Sequence, residues 1–304
     1  MKHYKWLIIG LVSILLATVN PTLIRAVSAD NSAFAFNALR FGLIAIVCTP
    51  FLIKDKHLRK TGGMRYAILA ALSMTLATSS YVQAIKMSQA SYISILALLS
   101  PIVLVVFSLR FTKDKINFRA LTGVSIAALG AMVAVVLPLA LKEGTFSFYP
   151  LATFLGLLNT LFYPLSSIAY KKANTEHHVS IWALLGMTAW SMTIASIFLW
   201  LFVDNASNLV INNTLVYSVL YSGLIVALVA RVLNILVYEH IGAARIAALT
   251  YLESIITILI PVFVLHEKLS IYMVIGGVLI LAGVVIVEHH KSIHHKHYHL
   301  FRHA

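Results

Sequence analysis

Charge is scarce in this chain. Of 304 residues only 11% are charged, and the acidic ones number 10 against 23 Lys and Arg. Soluble globular chains carry about 25% charged and about 45–50% apolar residues. Here 60% are hydrophobic and the mean hydropathy is +0.91. A soluble enzyme, a disordered chain and a fibrous protein are all excluded by that balance, which is the balance of a polytopic membrane protein. Cysteine is nearly absent. The one thiol, Cys48, lies in an apolar run, so no disulfide framework exists within the chain and Cys48 reads as a small buried residue. No Gly-x-x-x-x-Gly-Lys loop is present, which removes ATP as a direct driver. His266-Glu267 lacks a second histidine four residues after the first, so the zinc-hydrolase pattern fails. With acids so few and scattered, a membrane-embedded enzyme is a weak alternative, and nothing calls for a cofactor.

What is abundant is apolar sequence in long runs. A helix needs about 20 residues to cross about 30 Å of hydrocarbon. Ten runs qualify, at about 6–25, 33–53, 65–85, 90–109, 118–140, 149–169, 180–202, 215–237, 243–264 and 270–288. They are continuous rather than alternating, which predicts helices and not a barrel. The basic start, Met1–Lys5, and the run Trp6–Ile24 resemble a signal peptide, but the run is too long for one and predicts a retained first span. The net charge of +13 sits in clusters between runs, which suits topology and not nucleic acid. With the N-terminus in the cytoplasm, sixteen Lys and Arg fall on inner segments. Four fall outside: Arg25, Lys86, Lys142 and Lys268. Both termini are therefore expected in the cytoplasm, with the chain in the cytoplasmic membrane.

The two halves of the chain match each other. At a shift of 153 residues, Asp114-Lys115-Ile116 falls on Glu267-Lys268-Leu269, Gly123 on Gly276 and Gly130 on Gly283. At a slightly smaller shift, Asn20-Pro21 falls on Tyr163-Pro164. The expected division is 1–140, 141–288 and a His-rich cytoplasmic tail, 289–304. Each half holds five spans. Five is odd, so the second copy enters from the opposite face, the inverted repeat of many secondary transporters. The predicted fold class is an all-α polytopic membrane protein of ten helices in two inverted five-helix repeats.

Several blocks resemble the EamA-type family of the drug/metabolite transporter superfamily. They are Ala38-Leu39-Arg40-Phe41 in the second run, Tyr81 through Ser91 to Ser100-Pro101 in the third and fourth, and Pro261 with His266-Glu267-Lys268-Leu269 and Gly276 through Val284 at the end. The resemblance implies export or uptake of small metabolites such as amino acids. It also implies a central cavity lined by the third, fourth, eighth and ninth helices, with the first and sixth contributing. This chain departs from the family in having Asp114 where glutamate is usual. Glu253 and Arg231 match no family-wide pattern.

Charge within hydrocarbon is costly and usually faces a cavity or a partner. Glu253 lies ten residues into its run, about 15 Å deep at the helical rise. It reads either as a site carboxylate that binds a cationic group or carries a proton, or as a structural partner. Arg231, about 9 Å from the inner face by the same rise, could pair with Glu253, hold a substrate carboxylate or snorkel. Arg40 is open to a site role or to packing. The substrate-binding candidates are Glu253, Arg231, Arg40, Tyr81, Ser94, Asn20, Tyr163, Asn234 and Thr250. Asn20-Pro21 and Tyr163-Pro164 read equally as hinges or static kinks. Glu239 and Arg245 are expected to pair at the inner surface. The glycines serve close helix packing, with a homodimer as the alternative. The tail's histidines read as a solvated segment that attracts anionic lipid, or as a metal sensor. Asn205-Ala206-Ser207 and Asn212-Asn213-Thr214 are glycosylation sequons, of meaning in a eukaryotic host only. The expected partners are a small-molecule substrate and the bilayer. A passive channel remains the alternative function.

Overall fold

A computed structural model describes residues 2–100, 102–103, 107, 118–140, 149–207, 209–233, 237 and 243–300. Its helices are α1 (Lys2–Thr18), α2 (Asn20–Val27), α3 (Ala33–Lys54), α4 (Thr61–Met87), α5 (Ala90–Ala97), α6 (Phe118–Ala140), α7 (Pro150–Thr175), α8 (Ile181–Phe202), α9 (Asn213–Leu220), π1 (Tyr221–Ala230), α10 (Ala243–Val264) and α11 (Ile271–Leu300). Among the described residues, six segments are long and apolar enough to cross a membrane: Lys5–Val27, Ala33–Lys54, Thr61–Met87, Pro150–Thr175, Ile181–Phe202 and Asn213–Leu233. Shorter apolar helices cover Ser125–Ala134, Leu252–Val264 and Ile271–Gly283.

Helix is the answer to the backbone's polarity, because hydrocarbon offers no water to its N–H and C=O groups. The ends are set by local chemistry. Ser32 caps α3 by accepting from Phe34 N and Ala35 N, and Ser180 caps α8 by accepting from Ala183 N. Pro150 opens α7, where its missing N–H costs nothing. The first run is split at Val19, directly before Asn20-Pro21, where proline cannot donate to the preceding turn. Pro164, its counterpart in the repeat, sits inside an unbroken α7. The last helix continues past 288 to Leu300, so the His-rich tail extends α11; the side chains of 287–300 lie outside the description.

Side chains are arranged inside out relative to a soluble protein. Ile46, Ile194 and Phe154 are each more than half exposed, at 66%, 62% and 57%. The buried set is rich in Ala, Ser and Thr and contains Arg40. Small residues let helices approach closely, and polar ones bridge them. Ser166 Oγ donates to Ala70 O at 2.9 Å and Asn159 Nδ2 to Ala77 O at 3.1 Å, joining α7 to α4. Ser13 Oγ donates to Ala230 O at 2.9 Å, joining α1 to π1. Cys48 is buried and free, and packs where a Cβ on Gly186 would meet its own Cβ at 3.1 Å.

Two pairings carry the repeat into three dimensions. A Cβ at Gly130 would lie 2.7 Å from Gly276 O, and one at Gly283 would lie 2.5 Å from Gly123 O. The glycines predicted to match as Gly123/Gly276 and Gly130/Gly283 thus meet crosswise, α6 against α11. These glycine faces pack against each other within the chain. The second pairing is absent from the sequence reading. Asp55, just after α3, accepts from Ser180 N at 2.7 Å, at the start of α8. Asp204, just after α8, accepts from Ser32 Oγ, at the start of α3. Equivalent Ser–Asp clasps therefore close both ends of an antiparallel pair.

The end bearing Asp204 holds further cross-links. Arg25 Nη1 donates to Ile85 O at 3.1 Å and Lys86 O at 2.5 Å. Lys86 Nζ lies 3.6 Å from Asp204. Glu267 accepts from Ala90 N at 2.8 Å, Ser91 N at 2.9 Å and Ser91 Oγ at 2.6 Å. A carboxylate placed there caps the exposed donors and dipole of the α5 N-terminus. Its counterpart, Asp114, lies outside the described residues.

Replacing Gly276 with Val places a branched side chain against Gly130 O and Ala134. A loss of about 1–3 kcal/mol is expected from such overpacking, read as a lowered thermal midpoint in detergent; an unchanged midpoint would refute the α6–α11 contact. Burial pushes the Asp55 carboxyl up, but hydrogen bonds from Ser180, Leu58 and His57 outweigh it and hold the group below its usual range. That stabilisation is complete above the unfolded pKa of about 4. It is lost as pH falls through the lower folded value. Wild type is therefore expected to lose stability on acidification more steeply than Asp55→Asn, measured by thermal unfolding across a pH series.

Candidate functional site

The predicted site residues fall into two clusters. The first surrounds Arg40, which is 3% exposed. Its Nε donates to Asn37 Oδ1 at 2.8 Å, and its Nη1 to Asn20 Oδ1 at 3.1 Å and Ser222 Oγ at 2.8 Å. Ser222 in turn donates to Asn20 Oδ1 at 2.5 Å. The rings of Phe36 and Phe41 flank the guanidinium, with centroids 5.1 and 4.7 Å from Cζ, a cation–π arrangement. Tyr81 stands within the field of Arg40 and is hydrogen-bonded to Ser94. Ser94 Oγ itself donates to Ala90 O at 2.8 Å. Arg40, Asn20, Tyr81 and Ser94 are thus brought together, from α3, α2, α4 and α5.

Local backbone chemistry makes that convergence possible. The break before Pro21 begins α2 at Asn20, whose amide turns toward Arg40. On the far side, α9 widens into π1, which carries Ser222. Wide π turns are rare and frequent at functional sites. Gly223 follows, and a Cβ there would stand 2.8 Å from Arg40 O. The backbones of π1 and α3 touch at that point, and only glycine permits it. Sequence reading missed Ser222, one hydroxyl in an apolar run. Asn37 was only one of many polar residues until the fold placed it against Arg40.

The second cluster gathers Arg231, Tyr163 and Glu253. Arg231 Nη1 donates to Tyr163 Oη at 3.3 Å, and its Cζ lies 6.0 Å from the Tyr170 ring centroid. The Arg231 charge is felt at Glu253. Arg231 and Glu253 are near enough for their charges to interact, and Tyr170 joins the group unannounced. Asn234, Glu239 and the side chains of Thr250, Tyr251 and Arg245 lie outside the described residues. Arg231 follows Ser222 by nine residues, under about 14 Å along the axis at the α-helical rise. One span therefore serves both clusters.

Among the described residues, the two clusters combine two arginines and one carboxylate, Glu253, with neutral hydrogen-bonding groups. The family model described as the EamA-like transporter family matches residues 4–136 and again 150–288. The chain belongs to the EamA-like transporter family. It is a multi-pass membrane protein of that family, and the double match places one family unit in each half. Two proteins of Archaeoglobus fulgidus, each named an uncharacterized transporter, are similar to it. One is 23% identical over 257 residues, 81% of this chain and 84% of its own. The other is 25% identical over 288 residues, 91% and 94%. A solved crystal structure superposes with a TM-score of 0.61 over 93% of this chain and 96% of its own, at 17% identity. At that identity the likeness concerns the fold alone.

Arg231→Ala leaves the Glu253 carboxylate without its neighbouring cation. It is expected to destabilise the protein by about 1–3 kcal/mol, less than a fully buried pair. Adding Glu253→Gln should restore most of that loss. Strict additivity of the two changes in thermal unfolding would show that the groups are not coupled.

Proposed function

We infer that this EamA-family transporter is a secondary active permease. It moves small metabolites, amino acids or related compounds, across the cytoplasmic membrane by alternating access. Ten helices form two inverted five-helix repeats, with both termini in the cytoplasm. Arg40 with Asn20, Tyr81 and Ser94 forms the outer half of the site. Glu253 with Arg231, Tyr163, Asn234 and Thr250 forms the inner half.

The observation that carries this reading is the antiparallel pairing of equivalent parts. Ser32–Asp204 and Asp55–Ser180 are one clasp written twice, at opposite ends. Gly130–Gly276 and Gly123–Gly283 are one helix contact written twice. A unit repeated with inverted orientation has two packings available, and exchanging them exchanges the open face. The basic residues favour the same orientation, clustering on the end that holds Asp55. Carboxylate and guanidinium between the halves suit a cargo with polar ends, and Glu253 is placed to carry a proton or meet a cation.

Reconstitution into proteoliposomes tests the reading. Saturable uptake of at least one member of a broad metabolite panel is expected, accelerated by the same unlabelled compound on the opposite side. Non-saturable flux without such counterflow would select the channel instead, and no flux for any compound would refute transport. Glu253→Gln is expected to lose uphill accumulation while keeping a native elution profile. Normal, pH-independent accumulation by that variant would remove Glu253 from the site.

A further inference from the structure

We propose that the interlocked α3–α4 and α7–α8 connections form a headgroup site for anionic phospholipid of the surrounding bilayer. Positive charge is concentrated there. Lys54, Lys56, Arg59, Lys60, Arg65 and Lys171 are all exposed. Among the described residues no carboxylate forms an ion pair with any of the six. Two acids lie beside them. Asp55 spends its carboxylate on backbone donors, accepting from His57 N at 2.8 Å, Leu58 N at 3.0 Å and Ser180 N at 2.7 Å. Glu176 is the exposed one. The surface is therefore strongly basic after its own acids are counted.

The two connections hold that charge as one surface. Beyond the Asp55–Ser180 bond, the His57 and His178 rings meet edge to face with centroids 6.1 Å apart. Tyr66 stacks on His177 at 5.4 Å, and Lys172 Nζ stands 5.4 Å from the same Tyr66 ring. A Cβ at Gly63 would lie 2.6 Å from His57 O and 2.9 Å from Val179 Cγ2. Leu58 and Val179, one from each connection, are buried in a shared apolar cluster. This packing does not itself need the charge. The equivalent clasp at the other end, Ser32–Asp204, joins connections 28–32 and 203–212, which contain no lysine or arginine. Depth selects the partner. The basic connections, 55–60 and 176–180, are short and cannot rise far from the spans they join. Lys54 lies in the last turn of one span and Lys172 in the last turn of another. The charges thus stand at the level of the headgroups, where lipid phosphate is the anion within reach. A nucleic acid or an acidic protein would need a surface clear of that layer. The inference requires only that the chain spans a bilayer, so it stands apart from the permease reading.

The test follows thermal unfolding of the purified full chain in neutral detergent, with phosphatidylglycerol or with phosphatidylcholine of the same acyl chains. Phosphatidylglycerol is expected to raise the wild-type midpoint by about 3 °C or more beyond phosphatidylcholine. The gain should shrink at about 0.5 M NaCl, where exposed charges are screened. Lys56→Gln, Lys60→Gln and Lys171→Gln together draw on both connections and should remove at least about half of the gain. A charge-matched variant of the tail, Lys291→Gln with Lys296→Gln and Arg302→Gln, should keep it. Glycerol phosphate, which has the anion without the chains, should not reproduce it. The proposal is overturned if phosphatidylcholine stabilises equally, or if the connection variant responds as wild type does. It is also overturned if the tail variant loses as much as the connection variant, which would mean unspecific attraction to net charge. A full response to glycerol phosphate would make the partner a soluble anion and overturn the lipid. Should the triple variant not fold, Lys56→Gln and Lys60→Gln are read singly. Each is expected to lose part of the gain, and an undiminished gain in both overturns the site.

Discussion

A cation held in low dielectric must be solvated by the protein itself, and Arg40 shows what that demands. Its three bonded partners come from three segments: Asn37 one turn back on α3, Asn20 at a helix start, and Ser222 on a widened turn. Each irregularity in the neighbouring helices serves one of those bonds. The first span is interrupted at Val19, and Asn20 opens its second part. The π turns and Gly223 bring Ser222 within reach while their backbone touches α3. The irregular geometry of α1–α2 and π1 is therefore best understood from the centre outward.

Much of this was legible in the sequence because membrane physics is severe. Composition alone excluded soluble classes, and the glycines read as close-packing positions, which the fold brings together as Gly130–Gly276 and Gly123–Gly283. The chemistry of Arg40, Tyr81 and Ser94 as a group was only partly legible. Polar residues within apolar runs are visible one at a time, but which of them converge depends on helix pairing. Ser222 was invisible for that reason, and so was Tyr170. The Ser32–Asp204 and Asp55–Ser180 clasps hid differently. They lie in loops, where serine and aspartate are common and arouse no interest until two loops prove equivalent. No pattern in Tyr221–Ala230 announces a π-helix, since its apolar residues satisfy either winding.

The clasps also divide the bundle mechanically. The α3–α8 pair is tied at both ends at once, by Asp55 to Ser180 and by Asp204 to Ser32, and Cys48 packs against Gly186 between them. The α6–α11 pair is in backbone contact at two glycine positions. The α3–α8 pair cannot open at one end without breaking a hydrogen bond whose equivalent lies at the other. We take both as beams. The remaining spans contain the broken α1–α2, the proline-bearing α7, and α9 with π1. Those segments already depart from regular helix or carry the residue that permits it.

Alternating access, as proposed above, then assigns motion to the second group and support to the first. Arg40 projects from a beam, α3, while Asn20 and Ser222 project from the irregular segments. A cation fixed on the static element and solvated by groups on the moving ones is a natural sensor of occupancy. When α2 and π1 draw away, Arg40 loses neutral acceptors and gains need of another. The energetic link between binding and movement would then lie in the exchange of hydrogen-bond partners at a single buried charge.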